Sequence, residues 1–204
     1  MQNYDNETMK ALTKRLLACK NGSNRGTFMQ RYNSSSGGHE QALEKVYQNF
    51  WSKDSLITDC TGGDNPGSSY LDTNMGIDYI VSVKNPKLKT EMDFWVQERF
   101  RSEKYRSYQS ISLIHTQAND NAAEVFKTKA QYLVYGYLND ETKELTQCVI
   151  VDLAKALGLI ANDRITFEIK NNRFTSQTFL TVNFIDLKEA GCLLFEYNAP
   201  AIHS

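Results

Sequence analysis

Apolar and polar positions along this chain recur with two different periods. From Glu40 to Trp51 the apolar residues Ala42, Leu43, Val46, Tyr47, Phe50 and Trp51 return every three or four positions, which predicts a helix with one buried stripe. Met9, Leu12, Leu16 and Leu17 repeat that spacing, with Lys10, Lys14 and Arg15 on other faces, and predict a short amphipathic helix within residues 1–20. Residues 21–38, rich in Gly, Ser and Asn, read as a loop, and residues 59–76 as a second irregular connection. The period then changes. IDYIVSV (77–83) and MDFWVQERF (92–100) are β-branched and aromatic runs around a turn carrying Lys84, Lys87 and Lys89, so they read as a hairpin. QSISLIH (109–115) predicts a third strand. Residues 122–137 predict a helix from about Lys127, although YLVYGY also suits a strand. CVIVDL, ITFEI, TFLTVNFI and CLLFEY predict further short strands, with one short helix near Leu153–Leu157. The fold class expected is α/β (α+β): a mixed central sheet flanked by helices.

Composition narrows this little, and charge removes an easy clue. The 204 residues suit one domain at roughly 100–200 residues each, and 41% hydrophobic content supplies a core. No run approaches the roughly 18 apolar residues of a membrane helix, so no membrane partner is expected. The opening MQNYDNETMK has no basic segment leading into an apolar one, which predicts an intracellular, cytoplasmic chain. Cys19, Cys60, Cys148 and Cys192 are scattered and read as reduced, and His39, His115 and His203 show no metal-ligand spacing. Lys and Arg number 23 against 24 Asp and Glu. A nucleic-acid partner therefore requires positive charge gathered locally.

Such a gathering exists beside a displaced carboxylate. Asp78 lies inside the apolar strand IDYIV, where a charge needs an edge, a cation or a metal. On the next strand, period-two alternation places Asp93, Gln97, Arg99 and Arg101 on one face and Phe94, Val96 and Phe100 on the other. Arg99, Arg101, Lys104 and Arg106 then follow closely, with Tyr105 and Tyr108 interleaved. This combination suits phosphodiester chemistry. A carboxylate and a neighbouring oxygen hold Mg²⁺, a cation beside them neutralises developing charge, and further cations grip flanking phosphates.

The order of helix with Glu44, strand with Asp78, strand with Gln97-x-Arg99, then a helix, resembles the PD-(D/E)XK nuclease superfamily. Gln131-x-x-x-Tyr135 matches the Q-x-x-x-Y element of its RecB-like members. The resemblance spans roughly residues 38–137. It implies a restriction-endonuclease-like core, preceded by a helix and loop (1–37) and followed by strands that complete or extend the sheet (138–204), all one domain. It implies a Mg²⁺- or Mn²⁺-dependent nuclease hydrolysing DNA by metal-activated water. Asp78, Gln97 and Glu44 would hold the metal, and Arg99 would take the catalytic lysine's place. Gln131, Tyr135, Arg101, Lys104 and Arg106 would bind substrate. Arg99 for Lys and Gln97 for an acid depart from the family pattern; Asp93 is a substitute ligand, and Glu98 should point to the opposite face.

Two other readings fit the same residues. In one, those departures mark a degenerate nuclease fold that binds nucleic acid or a protein without cleaving. In the other, the chain is a protein-interaction module, Asp78 pairs structurally with Arg99, and the 99–106 cluster is a solvated ladder. The helix at 1–20 either offers a contact for a homodimer or caps the core.

Overall fold

The computed structural model describes residues 37–61, 66–85, 90–116, 123–172 and 177–200. The helix expected at 1–20, the loop after it, and Lys87 and Lys89 lie outside these residues. Residues 35–204 form one unit, mixed α/β in class.

The periodic stretch becomes helix α1, residues 37–50. Its middle, Leu43–Tyr47, is a wider π-type turn in which the Gln48 N–H reaches back to Leu43 O. Strand β1 (Leu56–Asp59) follows, then helix α2 (Pro66–Met75) where the composition suggested irregular chain. Pro66 opens α2 with its φ already fixed, and Gly76 ends it at φ 58°. Ile77 N–H closes that end onto Leu71 O at 3.1 Å. The Pro-to-Gly spacing was thus a helix signal hidden among turn-forming residues.

Strands β2 (Tyr79–Asn85) and β3 (Thr90–Ser102) form the expected hairpin. Asp78 stands just before β2 rather than inside it. After a 3₁₀ helix (Glu103–Tyr108), Gln109 turns the chain at φ 45° into β4 (Ser110–Thr116). Then come a single turn α3 (Glu124–Lys127), β5 (Tyr132–Leu138), β6 (Leu145–Asp152) and helix α4 (Leu153–Ala161). Strands β7 (Glu168–Asn171) and β8 (Thr178–Asn183), helix α5 (Phe184–Glu189) and β9 (Leu193–Asn198) complete the unit.

The main sheet has six strands in the order β1-β2-β3-β5-β6-β9, antiparallel throughout except that β3 and β5 run parallel. Instead of one central sheet there are two, because β4 stands outside the first and pairs with β8, which in turn pairs with β7. The C-terminal strands therefore divide: β6 and β9 extend the main sheet, while β7 and β8 build the second.

Alternation along the strands assigns two cores. Val96, Val134, Cys148 and Ile150 face Ala42, Val46 and Tyr47 of α1. Leu133, Tyr135, Val149 and Val151 face the opposite way, onto Ile111 and Leu113 of β4, Leu180 and Val182 of β8, and helices α4 and α5. Strands covered on both faces read as continuous apolar runs, which is why YLVYGY carried a mixed signal. The helix expected over residues 127–137 is corrected to strand β5: Tyr132–Leu138 pairs with both β3 and β6. α1 sits close to the sheet because Gly38 and Gly136 both lie against the Phe100 ring, where a Cβ would approach within 2.8 Å.

Candidate functional site

Strand β3 runs between the two cores and delivers a different chemistry to each. On the side of the second sheet, Gln97 and Arg99 converge on Glu124. The Gln97 Nε2 donates to Glu124 Oε1 at 2.6 Å, and the Arg99 guanidinium donates to Glu124 Oε2 at 2.5 Å. Glu124 Oε2 also accepts the Ile114 N–H at 2.8 Å, which ties α3 to β4. Arg99 donates a second bond to Ser112 O at 2.8 Å, and Arg101 donates to the Ser112 Oγ. The Gln97 side chain is 7% exposed, and its Oε1 is buried without a hydrogen-bond partner among the described residues. A buried amide oxygen left in that state costs free energy unless a ligand, water or cation meets it.

Asp78 approaches from the start of β2. Its backbone N–H donates to Val96 O at 2.9 Å, and its Oδ2 accepts the Glu98 N–H at 2.6 Å. Burial raises the Asp78 pKa well above the ordinary carboxylate value. The Glu98 N–H opposes that rise, and the charges of Asp72, Glu98 and Glu124 add to it. A site that collects acids around a buried carboxyl favours a proton or a metal cation there.

On the side of α1, Glu98 faces the opposite core, as alternation requires. Tyr47 donates its hydroxyl to Glu98 Oε1 at 2.5 Å, and the His39 Nδ1 lies 3.0 Å from both carboxylate oxygens. The His39 ring stacks on Tyr79 with centroids 3.9 Å apart. Burial, then the Glu98 charge, push the Tyr47 pKa up, so it stays a donor.

The residues singled out from sequence separate into those brought together and those kept apart. Asp78, Gln97, Arg99 and Arg101 share one neighbourhood. Glu44 does not join them. It is exposed on α1, whose buried positions are Val46 and Tyr47, and the sheet intervenes between that helix and the Gln97 side. Asp93 is exposed near the start of β3 and accepts the Ser82 hydroxyl at 2.7 Å. Gln131 and Tyr135 belong to an extended segment, not a helix. Gln131 Oε1 accepts the Trp95 N–H at 3.0 Å and prolongs the β3–β5 pairing, while the Tyr135 hydroxyl lies 3.2 Å from Ser112 Oγ. Lys104 is exposed, and Arg106 lies 3.7 Å from Glu103. Residues that the pattern did not single out are Glu124, Ser112, Tyr47 and His39. Glu124 sits in a polar connection with no periodicity to mark it; Tyr47 was visible only as an apolar helix position.

Two oxygens here could meet a hydrated Mg²⁺. That ion keeps several waters and takes only one or two protein oxygens, and the orphaned Gln97 Oε1 and the Asp78 carboxyl can supply them. Among the described residues no three His, Cys, Asp or Glu side chains form a closed metal cage. No described helix is long and apolar enough to cross a membrane. Comparison of the chain with protein-family models, curated proteins and solved structures finds no match.

Proposed function

We propose that this chain is a Mg²⁺- or Mn²⁺-dependent nuclease that hydrolyses phosphodiester bonds of DNA, on a restriction-endonuclease-like core of the PD-(D/E)XK kind. The observation that carries the reading is the buried, unpartnered Gln97 Oε1, on the strand face of Arg99 and Glu124 and next to the peptide that anchors Asp78. The antiparallel β2–β3 pair, with Asp78 at its entry and Gln97-x-Arg99 on its second strand, supports the same reading. Asp78 and Gln97 would hold the metal. When bound, Mg²⁺ supplies the charge that polarises a phosphate and acidifies water.

The chain's own groups do the rest. Arg99 holds a fixed positive charge two positions beyond Gln97, able to neutralise phosphate charge but unable to shuttle a proton. Arg101 and Lys104 offer cations to flanking phosphates. Glu124 orients both Gln97 and Arg99 through its two oxygens.

A second reading rests on a specific contact. Arg99 spends its guanidinium on Glu124 and on Ser112 O, which favours a catalytically degenerate fold that binds nucleic acid without cleaving it. Incubation with plasmid and single-stranded DNA, with Mg²⁺ or Mn²⁺, separates the two. Cleavage that disappears in a folded Asp78→Ala variant supports the nuclease. No cleavage with either metal, or equal cleavage by Asp78→Ala, overturns it.

A further inference from the structure

From the end of β3 into the 3₁₀ helix, Arg101 and Lys104 belong to a wider surface with an aromatic part. Tyr105 and Tyr108 stand side by side on the 3₁₀ helix, their rings stacked at 23° with centroids 6.4 Å apart. Tyr108 is 64% exposed, so its ring is open to a stacking ligand. The two rings are set among cations. The Arg101 guanidinium lies 4.7 Å from the Tyr105 centroid and the Lys104 Nζ 5.1 Å from it. Lys170, on the exposed edge strand β7, lies 5.9 Å from the Tyr108 centroid. Arg101 also sits 5.9 Å from the ring of Phe179 on β8, so the surface is continuous from the 3₁₀ helix to the second sheet.

Two acids lie among these cations, and each is paired. Glu103 is engaged by Arg106, and Glu168 by Lys170 at 2.9 Å. Arg101 and Lys104 form no ion pair with any described residue. Exposed aromatic faces beside the unpaired Arg101 and Lys104, with Lys170 shared with Glu168, match a ligand that alternates flat π-systems with phosphates. A duplex hides its base faces in the stack; an unpaired strand presents them. A protein partner would require no such alternation.

We propose that Tyr105, Tyr108, Arg101, Lys104 and Lys170 form a binding platform for single-stranded nucleic acid, with a base stacking on Tyr108 and the cations flanking its phosphates. Arg99 and Arg101 meet on Ser112, so the platform adjoins the Gln97 site, and a strand held on it would lead toward that site. The proposal shares the substrate class of the nuclease reading but does not require its chemistry.

The test uses the full chain in EDTA, so that binding is measured apart from cleavage. The probes are a fluorescent oligothymidylate, the corresponding oligouridylate, an abasic strand of the same length, and a duplex. The oligothymidylate should bind at least fivefold more tightly than either the abasic strand or the duplex, as one base stacked on an aromatic ring gives. Tyr108→Ala should remove that advantage and Tyr108→Phe should keep it; both exposed-site variants should melt like the parent. Lys104→Ala with Lys170→Ala should weaken oligothymidylate and abasic strand alike and flatten the salt dependence. Oligouridylate binding as tightly as oligothymidylate supports stacking without sugar recognition. Equal affinity for abasic strand and oligothymidylate, tighter binding of the duplex, or indifference to Tyr108→Ala overturns the platform. Base-dependent binding by a chain that cleaves nothing leaves the platform standing and rejects the nuclease alone.

Discussion

Glu124 is the residue on which the Gln97 side of β3 depends, and its removal has a size that can be worked out. Its two oxygens accept from Gln97 Nε2, Arg99 and Ile114 N–H. In Glu124→Ala all three donors lose their acceptor, and the Arg99 charge loses its partner. Breaking a buried ion pair from one side costs about 3–5 kcal/mol. The two side chains are 21% and 11% exposed, so Arg99 can recruit some water. That places the expected loss near the lower end, about 3 kcal/mol. A domain of ordinary stability holds about 5–15 kcal/mol, so the variant should still fold. With a urea slope of about 2 kcal/mol per molar, the unfolding midpoint should fall by about 1.5 M with the slope unchanged. Glu124→Gln keeps one acceptor oxygen and should lose about half as much. Arg99→Met combined with Glu124→Ala should cost less than the sum of the single changes by more than about 1 kcal/mol. A midpoint shift below about 0.5 M for Glu124→Ala, or additive single effects, would show that the carboxylate does not organise this face.

Two further predictions concern the other side of the strand and the carboxyl beside it. Gly136→Ala would bring a Cβ to 2.8 Å from Phe100 and 2.9 Å from Leu145. It should cost about 1–3 kcal/mol by thermal denaturation, partly restored by Phe100→Leu, and an unchanged melting temperature would contradict that packing. Asp78 has a raised pKa in the folded chain, so the folded state holds its proton more tightly than the unfolded one. Its stabilising contribution is complete below about pH 4 and is lost as pH rises through the raised folded value. Asp78→Asn keeps an acceptor for the Glu98 N–H, and its melting temperature relative to the parent should rise with pH from about 4 up to the raised folded value and level off above it. A difference independent of pH would refute the assignment.

What the sequence disclosed about this fold depended on whether burial was one-sided. α1 buries one face in a regular rhythm, and β3 alternates apolar with polar residues between its two sides around Val96 and Gln97, so their residues sorted correctly. The same alternation grouped Gln97, Arg99 and Arg101 and sent Glu98 the other way. β5 is buried on both faces, so its run of aromatic and β-branched residues has no period to distinguish strand from helix. Glu44 was placed near the metal by the order of elements alone, whereas the packing of Val46 and Tyr47 turns it to solvent. Glu124 could not be found from local pattern. Its role comes from β4 standing outside the main sheet and carrying Ser112 and Ile114 back beneath Gln97 and Arg99, a long-range event that no local spacing records.

The two faces of β3 are coupled through a single peptide. The Glu98 N–H that fixes the Asp78 carboxylate follows Gln97, and the Glu98 side chain is held from the far side by Tyr47 and His39. The π-type turn in α1 sits directly over this contact, with Tyr47 as its last residue. Such wider turns are rare inside helices and cluster at functional sites, and here the turn ends on the donor to Glu98. Helix α1 therefore reaches β3 through Glu98. Its Tyr47 and His39 hold the Glu98 side chain while the Glu98 backbone amide donates to Asp78, so one residue joins α1 to the start of β2.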